Sequence, residues 1–146
     1  MYSEIEQATL DIDWFFTNNS EIAFAASGSG KLSASVAKSR EDLELVFSWF
    51  EDLPERCDII INPELKKIVG RVTDMYLLGF VVMAYKGLFA YDKTRPCRFL
   101  DFDYHLVASP VNPLRLSELP LEILTILLKT KFEGEMSPLL NTVSIQ

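Results

Sequence analysis

Three polar residues at alternate positions of one segment could do chemistry together. Asp101, Asp103 and His105 are each separated by one aromatic residue, and polar and apolar side chains alternate over residues 101–106, which predicts a β-strand over 99–108. Alternate strand residues point to one face, where two carboxylates and an imidazole could bind a divalent cation or act as acid and base. Strand neighbours on one face are about 7 Å apart, so the three converge poorly. The same pattern is typical of an amphipathic strand with a solvent-facing polar side.

Other catalytic arrangements find little support. His105 is the single histidine, which excludes sites that need two or three imidazoles, including the common zinc hydrolase sites. Neither Cys57 nor Cys97 has a histidine near it in the sequence, as a Cys/His pair would require unless it used His105. The sequence therefore leans against an enzyme, indicates no cofactor, and leaves Asp101, Asp103 and His105 as the one weak candidate for a metal.

The glycine-rich segment at residues 28–31 only partly resembles a phosphate-binding loop. In such a loop glycines let backbone N–H groups approach phosphate, and a lysine reaches the terminal group. Here Ala25 stands where the motif needs glycine, and Leu32 where it needs serine or threonine. A flexible turn after a strand is the better interpretation.

Composition indicates one soluble, acidic globular domain. The chain has 146 residues, 49% of them hydrophobic and 24% charged, and domains hold about 150 residues on average. The formal net charge is -7, so the basic surface that phosphate backbones require is absent and nucleic acid is a poor candidate partner. Residues 1–58 hold 12 acidic and 4 basic residues, which concentrates the negative charge in the first third of the chain.

Cysteine content and hydropathy predict a cytoplasmic protein. Two cysteines, Cys57 and Cys97, are too few for a small extracellular disulfide scaffold, and we expect both to be free thiols, although the sequence alone allows one disulfide. The acidic first residues lack the pattern of a secretory signal. The longest apolar run, residues 75–85, is shorter than the roughly 20 residues of a bilayer span, so we expect no membrane partner.

Hydrophobic periodicity and turn signals predict an α+β fold. A single domain over residues 1–146 is expected, with an antiparallel sheet and three to four helices packed mainly on one face. We expect residues 134–146 to form a tail that is mobile or docks late. The predicted strands are 13–17, 21–26, 58–61, 88–91 and 99–108, and the predicted helices are 39–52, 65–69, 73–86 and 117–131. Because nearly every side chain in 73–86 is apolar, that helix is expected to be surrounded by protein.

The helix over residues 39–52 carries the candidate partner-binding face. Ser39 and Asp42 have the form of a capping box, and Pro54 follows the helix end. Trp49 lies beside the predicted core stripe, in an acidic neighbourhood, and tryptophan is enriched in interface hot spots. The candidate partner-binding residues are Glu41, Glu44, Trp49, Glu51 and Asp52.

Several segments resemble a group of short, uncharacterised bacterial proteins of the immunity or antitoxin type. They are residues 13–16 (DWFF), 22–28 (IAFAASG), 39–44 (SREDLE), 87–92 (GLFAYD), 110–114 (PVNPL) and 119–120 (LP), with Ser35. The resemblance implies a small cytosolic protein that neutralises a cognate toxin. It transfers no functional residues.

Two hypotheses follow from the sequence. The first is a non-enzymatic protein-binding domain whose acidic face binds a basic toxin or effector, with steering by charge. The alternative is a small-molecule or metal-binding domain, or an enzyme, with a site near Asp101, Asp103, His105 and the turn at 28–31. Neither the partner nor the oligomeric state follows from the sequence.

Overall fold

The hairpin near the start of the chain begins a six-stranded sheet, and it forms as predicted. In this computed structural model, which describes residues 1–145, β1 (Asp13–Thr17) pairs antiparallel with β2 (Ile22–Ala26). Asn19 has a φ of 73°, a left-handed conformation that asparagine tolerates in tight turns. The remaining strands are β3 (Ile59–Ile61), β4 (Phe89–Lys93), β5 (Asp103–Pro110) and β6 (Leu139–Asn141).

The sheet is mixed, so the prediction of an antiparallel sheet is only partly correct. Its strand order is β1-β2-β4-β5-β3, with β6 paired to β5. β2 and β4 run parallel, whereas the other strand pairs are antiparallel. A parallel pair needs a long crossover connection, and most of the helices lie between β2 and β4 in the chain.

Six α-helices are present in residues 1–145, more than the three to four predicted. They are α1 (Glu4–Thr9), α2 (Ala34–Ala37), α3 (Arg40–Asp52), α4 (Leu65–Val69), α5 (Asp74–Tyr85) and α6 (Leu121–Leu127). α1 was missed although Ser3 and Glu6 form a capping box at its start, and α2 is a single turn of four residues without a side-chain cap. α3 confirms the Ser39 half of the predicted capping box, since the Ser39 hydroxyl accepts a hydrogen bond from the N–H of Asp42 at 3.2 Å. The Asp42 carboxylate pairs with Lys129 instead of closing the box.

The longest helices cover one face of the sheet. Phe15 and Phe24 are register partners on β1 and β2. Phe50 of α3 lies 4.9 Å from Phe15 between ring centroids, and Phe80 of α5 lies 6.0 Å from Phe24. α3 and α5 therefore lie on the same face of the sheet.

The last predicted helix, 117–131, begins later than expected because of Pro120, and it also ends earlier, at Leu127. The residue before a proline avoids helical backbone angles, and Leu119 is extended at φ -87° and ψ 145°. A single 3-10 turn (Leu116–Glu118) precedes this break, and α6 begins after it. In the segment after residue 134, β6 pairs with β5 and Ile145 is buried.

α5 differs most from expectation in its surroundings. Phe80, Met83 and Ala84 are buried against the sheet, but Met75 is 87% and Leu78 62% exposed. The prediction that protein surrounds this helix is thus wrong for its outer side. No helix within residues 1–145 has the length and apolar character needed to cross a membrane.

Candidate functional site

Asp101 and Asp103 do not converge with His105. Both carboxylates face Arg95, whose Nε lies 2.6 Å from Asp101 Oδ2 and whose Nη2 contacts Asp103 Oδ2. Asp103 Oδ1 also accepts a hydrogen bond from Asn141 at 2.8 Å. The N–H of Asp103, followed by the Arg95 guanidinium, holds the pKa of Asp101 below its ordinary value. Asp101, in the loop before β5, and Asp103, the first residue of β5, are thus both ion-paired with Arg95 at the end of the sheet.

His105 instead belongs to a buried cluster drawn from three elements. It is 1% exposed and is the register partner of Asp92 on β4. Tyr76 of α5 donates its hydroxyl to Asp92 Oδ2 at 2.7 Å and lies 3.2 Å from His105 Nε2. On the other side of the ring, Thr94 Oγ1 lies 3.1 Å from Nδ1. We call Tyr76, Asp92, Thr94 and His105 the Tyr76 cluster.

The hydrogen bonds of the Tyr76 cluster assign its protons. Because the Tyr76 proton goes to Asp92, His105 Nε2 must carry a hydrogen and donate to the tyrosine oxygen. Nδ1 is then an acceptor, and the Thr94 hydroxyl donates to it. Every polar atom of the imidazole is therefore satisfied by the protein, which leaves no free lone pair for a metal.

Burial sets the charges in this cluster. Desolvation lowers the pKa of His105 to about 4 and raises that of Asp92 to about 6, although the Tyr76 hydrogen bond opposes the second shift. At neutral pH the imidazole is neutral and the carboxylate is ionised. Across the described residues, no group of three or more His, Cys, Asp or Glu side chains is arranged to hold a metal ion.

The strand β4 explains why sequence reasoning missed this cluster. β4 continues to Lys93, two residues beyond the predicted end, so Asp92 lies in the sheet and not in a turn. Asp92 and Thr94 are alternate residues, and this spacing was the available sequence signal that both could face the same side of an extended strand. Tyr76 carried none, because it stands in an apolar run.

The turn at residues 28–31 encloses a lysine of the protein itself. Lys93 is 2% exposed, and its Nζ donates to the carbonyl of Arg98 at 2.9 Å and to that of Asp101. A Cβ on Gly28 would lie 2.9 Å from Lys93 Cβ, and one on Gly30 would collide with Nζ. The glycines are thus explained by close packing on Lys93.

Lys31, the lysine of the 28–31 segment, lies at the surface of the protein. Lys31 is exposed and lies 3.7 Å from Glu4, so it pairs at the surface and not with the buried turn. Cys57 and Cys97 are free cysteines, as predicted, the first half-buried and the second exposed.

α3 presents an outward row of carboxylates. We call Glu41, Glu44, Glu51 and Asp52 the acidic face, and all four side chains are exposed. None of these carboxylates forms an ion pair or hydrogen bond within residues 1–145. By contrast, Asp42 on the same helix lies 3.0 Å from Lys129 Nζ. Glu41, Glu51 and Asp52 are therefore free to meet an outside cation, whereas the charge of Glu44 already acts on the nearby Arg40 and helps to raise its pKa.

Apolar side chains adjoin the acidic face. Trp49 is half-buried and stands edge-on to Phe50 at 5.2 Å between ring centroids. Leu45, one turn before Trp49, is 40% exposed. Trp49 is thus part of the core edge while one side of it remains open beside the carboxylates.

The end of α3 carries an electrostatic conflict. Glu51 and Asp52 stand in its last turn, where negative charge opposes the helix dipole. The buried Lys86 lies beneath this end, and its Nζ donates to the carbonyls of Phe50 at 2.9 Å and Glu51 at 2.6 Å. Lys86 satisfies these carbonyls but does not pair with either carboxylate.

Comparison with known protein families, curated protein sequences and solved structures finds no match to this chain. Geometry alone therefore ranks the two candidate sites. The Tyr76 cluster is internally satisfied and half or fully buried, whereas the acidic face is open and unpaired. The acidic face is the stronger candidate for contact with another molecule.

Proposed function

We propose that this protein is a non-enzymatic protein-binding domain whose acidic face binds a basic protein partner. The observation that carries the proposal is the set of four exposed carboxylates on one helix, none of them paired with a cation in residues 1–145. Two of them, Glu51 and Asp52, are placed where they weaken the helix that bears them.

The unfavourable placement supports a role in binding. A charge that opposes the dipole at a helix end is worth about 0.3–1 kcal/mol. Lys86 offsets part of this cost at the helix carbonyls but pairs with neither carboxylate, and some loss of stability is common where a surface serves function. A partner's lysine or arginine near Glu51 and Asp52 would neutralise the charge at this helix end.

The apolar neighbours give the face a central anchor. Trp49 and Leu45 are partly exposed beside the carboxylates, and interfaces typically combine an aromatic anchor with a polar rim. The carboxylates would speed association and select basic partners, while Trp49 would contribute most of the affinity.

The resemblance to immunity-type bacterial proteins supports a more specific proposal. In that role the domain would neutralise a cognate toxin in the cytoplasm, and the toxin would present a basic surface to α3. A ligand site at Asp101, Asp103 and His105 is not favoured, since Arg95 and the Tyr76 cluster already satisfy these side chains.

A charge-neutralised variant tests the proposal. Proteins captured from a bacterial lysate at low salt are identified, and the affinity of each purified candidate is measured by calorimetry. The variant combines E41Q, E44Q and E51Q, and its control removes three exposed acids elsewhere, with E122Q, E133Q and E135Q. We expect the first to weaken binding by at least tenfold and the control to leave it unchanged.

The salt dependence gives a second criterion. Binding through the acidic face should weaken as salt rises, because exposed charges are screened. The proposal would be contradicted by a partner that binds the E41Q/E44Q/E51Q variant as tightly as the E122Q/E133Q/E135Q control. It would also be contradicted by a partner whose affinity does not change with salt concentration. W49A should weaken binding without changing the salt dependence.

A further inference from the structure

The outer side of α5 is an exposed apolar surface. Met75 is 87%, Leu78 62% and Val82 37% exposed, and Gly79 between them is exposed as well. We call these four residues the α5 stripe. Asp74 is the single charged residue among the twelve of this helix.

A helix that is apolar on all sides is normally covered on all sides. Here the inner residues Phe80, Met83 and Ala84 are buried against the sheet, and the outer residues meet solvent. We propose that the α5 stripe is the contact surface between two copies of this chain. The two α5 helices would pack antiparallel about a twofold axis that passes close to Gly79.

Gly79 has no role within one copy. A Cβ at this position would meet no atom within 4 Å, and its φ lies outside the left-handed range. Glycine in a helix interior reduces helix stability relative to alanine, so internal packing and backbone geometry both favour another residue. On an exposed face, glycine allows a second helix to approach closely and to place a leucine in the gap. In such a pair, Leu78 of one copy would fill the gap beside Gly79 of the other.

Charge opposes a second copy least at this surface. The chain carries a net charge of -7, so most pairs of surfaces on two copies repel each other. Between Met75 and Tyr85 the helix has no charged residue. The α5 stripe is therefore a surface at which two copies can meet without placing carboxylates against each other.

The ends of α5 favour the antiparallel orientation. Arg71, three residues before the helix, is exposed and forms no ion pair within residues 1–145. The last turn of α5 has no basic residue, and Lys86 is directed to α3 instead. In an antiparallel pair Arg71 of each copy approaches the carbonyl end of the other helix, which is favourable, and its positive charge offsets that of the exposed Asp74, which approaches the same end. In a parallel pair the two arginines would lie close together.

The size of the surface predicts a weak dimer. A stable interface buries about 800 Å² on each partner, which four side chains do not supply. Val72 and Ile60 are also exposed, at 36% and 58%, and lie on segments beside α5. With these at its edge, we expect a dimer that dissociates on dilution.

Sedimentation over a range of concentrations tests the association. The wild-type chain should change from monomer to dimer as concentration rises, and L78E should remain monomeric. L121E is the control, because Leu121 is 78% exposed on α6 and should dimerise like wild type. A wild-type chain that stays monomeric to its solubility limit, or an L121E variant that loses the dimer as fully as L78E, would overturn the proposal.

Cross-linking tests the orientation. In a background with Cys57 and Cys97 changed to alanine, L78C, which leaves the gap at Gly79 open, should form a disulfide-linked dimer on mild oxidation, because residue 78 lies beside the axis. M75C is the control, since in an antiparallel pair the two positions are far apart. Preferential cross-linking of M75C would overturn the antiparallel arrangement.

Gly79→Ala separates packing from folding. It should raise the unfolding temperature of the dilute monomer, yet weaken dimerisation by at least tenfold. An unchanged dimer would contradict the close approach at Gly79. If the stripe instead binds a different protein, L78E will abolish that binding while wild type stays monomeric, and this outcome also overturns the proposal.

Discussion

Tyr76 and Asp92 are joined by a 2.7 Å hydrogen bond that connects α5 to the middle of the sheet. The bond determines the tautomer of His105, since the tyrosine proton is engaged by the carboxylate and the imidazole must donate through Nε2. It also opposes the burial that raises the pKa of Asp92 to about 6. The Tyr76 hydroxyl therefore holds α5 against the sheet and affects the protonation of both Asp92 and His105.

Removing this hydroxyl should destabilise the fold in a pH-dependent manner. A hydrogen bond to a charged group contributes about 1.5–3 kcal/mol, so Tyr76→Phe should lower the free energy of unfolding by about 2 kcal/mol at pH values well above the pKa of Asp92. Below that pKa the carboxyl is protonated, and the loss should be smaller. Urea unfolding of the wild-type and Tyr76→Phe proteins, above and below the pKa of Asp92, measures the difference.

Tyr85 provides the matched control on the same helix. Its hydroxyl forms no hydrogen bond within the described chain, so Tyr85→Phe should change the free energy of unfolding by less than about 0.5 kcal/mol. A Tyr76→Phe loss that is equal at the two pH values would show that Asp92 is not ionised beside the tyrosine.

Local signals predicted local structure, but they did not predict the Tyr76 cluster. The cap at Ser39 and the turn at Asn19 each act within a few residues, and both elements were predicted correctly. Tyr76, Asp92 and His105 lie on three elements separated by 16 and 29 positions in the chain. Sequence periodicity relates only residues that share an element, so it grouped His105 with Asp101 and Asp103 instead.

The parallel pairing of β2 with β4 was missed for a similar reason. Residues 23–26 pair with residues 89–92, and no pattern within either strand specifies the direction of a partner so far along the chain. The acidic face was accessible to prediction because it lies on one long, well-capped helix. Its lack of internal partners depended on the positions of Lys129 and Lys86, which only the fold determines.

Asp13 should reduce stability at neutral pH. Burial, followed by the charge of Asp11, raises its pKa from 3.8 to about 6, and its carboxyl forms no hydrogen bond within residues 1–145. The folded state therefore holds this proton more tightly than the unfolded state, and the stabilising contribution is lost as pH rises from about 4 to 6.

Asp13→Asn should increase the free energy of unfolding at pH 7 by an amount on the order of 1 kcal/mol. The gain should disappear at pH values well below 3.8, the ordinary pKa of aspartate, where this carboxyl is protonated in both states. Chemical unfolding across this range measures the effect, with the exposed Asp58→Asn as control. A destabilised Asp13→Asn protein at pH 7 would mean that the carboxylate has a partner in solution.

Lys86 should be important for the end of α3. Lys86→Met keeps the length of the side chain but removes two hydrogen bonds to helix carbonyls, and we expect a loss of about 2 kcal/mol in the free energy of unfolding. Hydrogen exchange should increase at the last turn of α3 before other regions. Lys66→Met, at an exposed position, should have little effect on either measurement.

Alanine substitutions at Gly30 and Gly79 should change the free energy of unfolding in opposite directions. Gly30 is buried, and a Cβ there would lie 2.9 Å from the carbonyl oxygen of Ser27 and would collide with Lys93 Nζ. Crowding of this kind in a packed interior destabilises by about 1–3 kcal/mol, so Gly30→Ala should lower the free energy of unfolding by that amount. Gly79→Ala, where the Cβ meets open space, should raise it by up to about 1 kcal/mol in the dilute monomer. If the Gly30 variant kept wild-type stability in urea unfolding, the loop would have to move off Lys93 easily, and close packing would no longer explain its glycines.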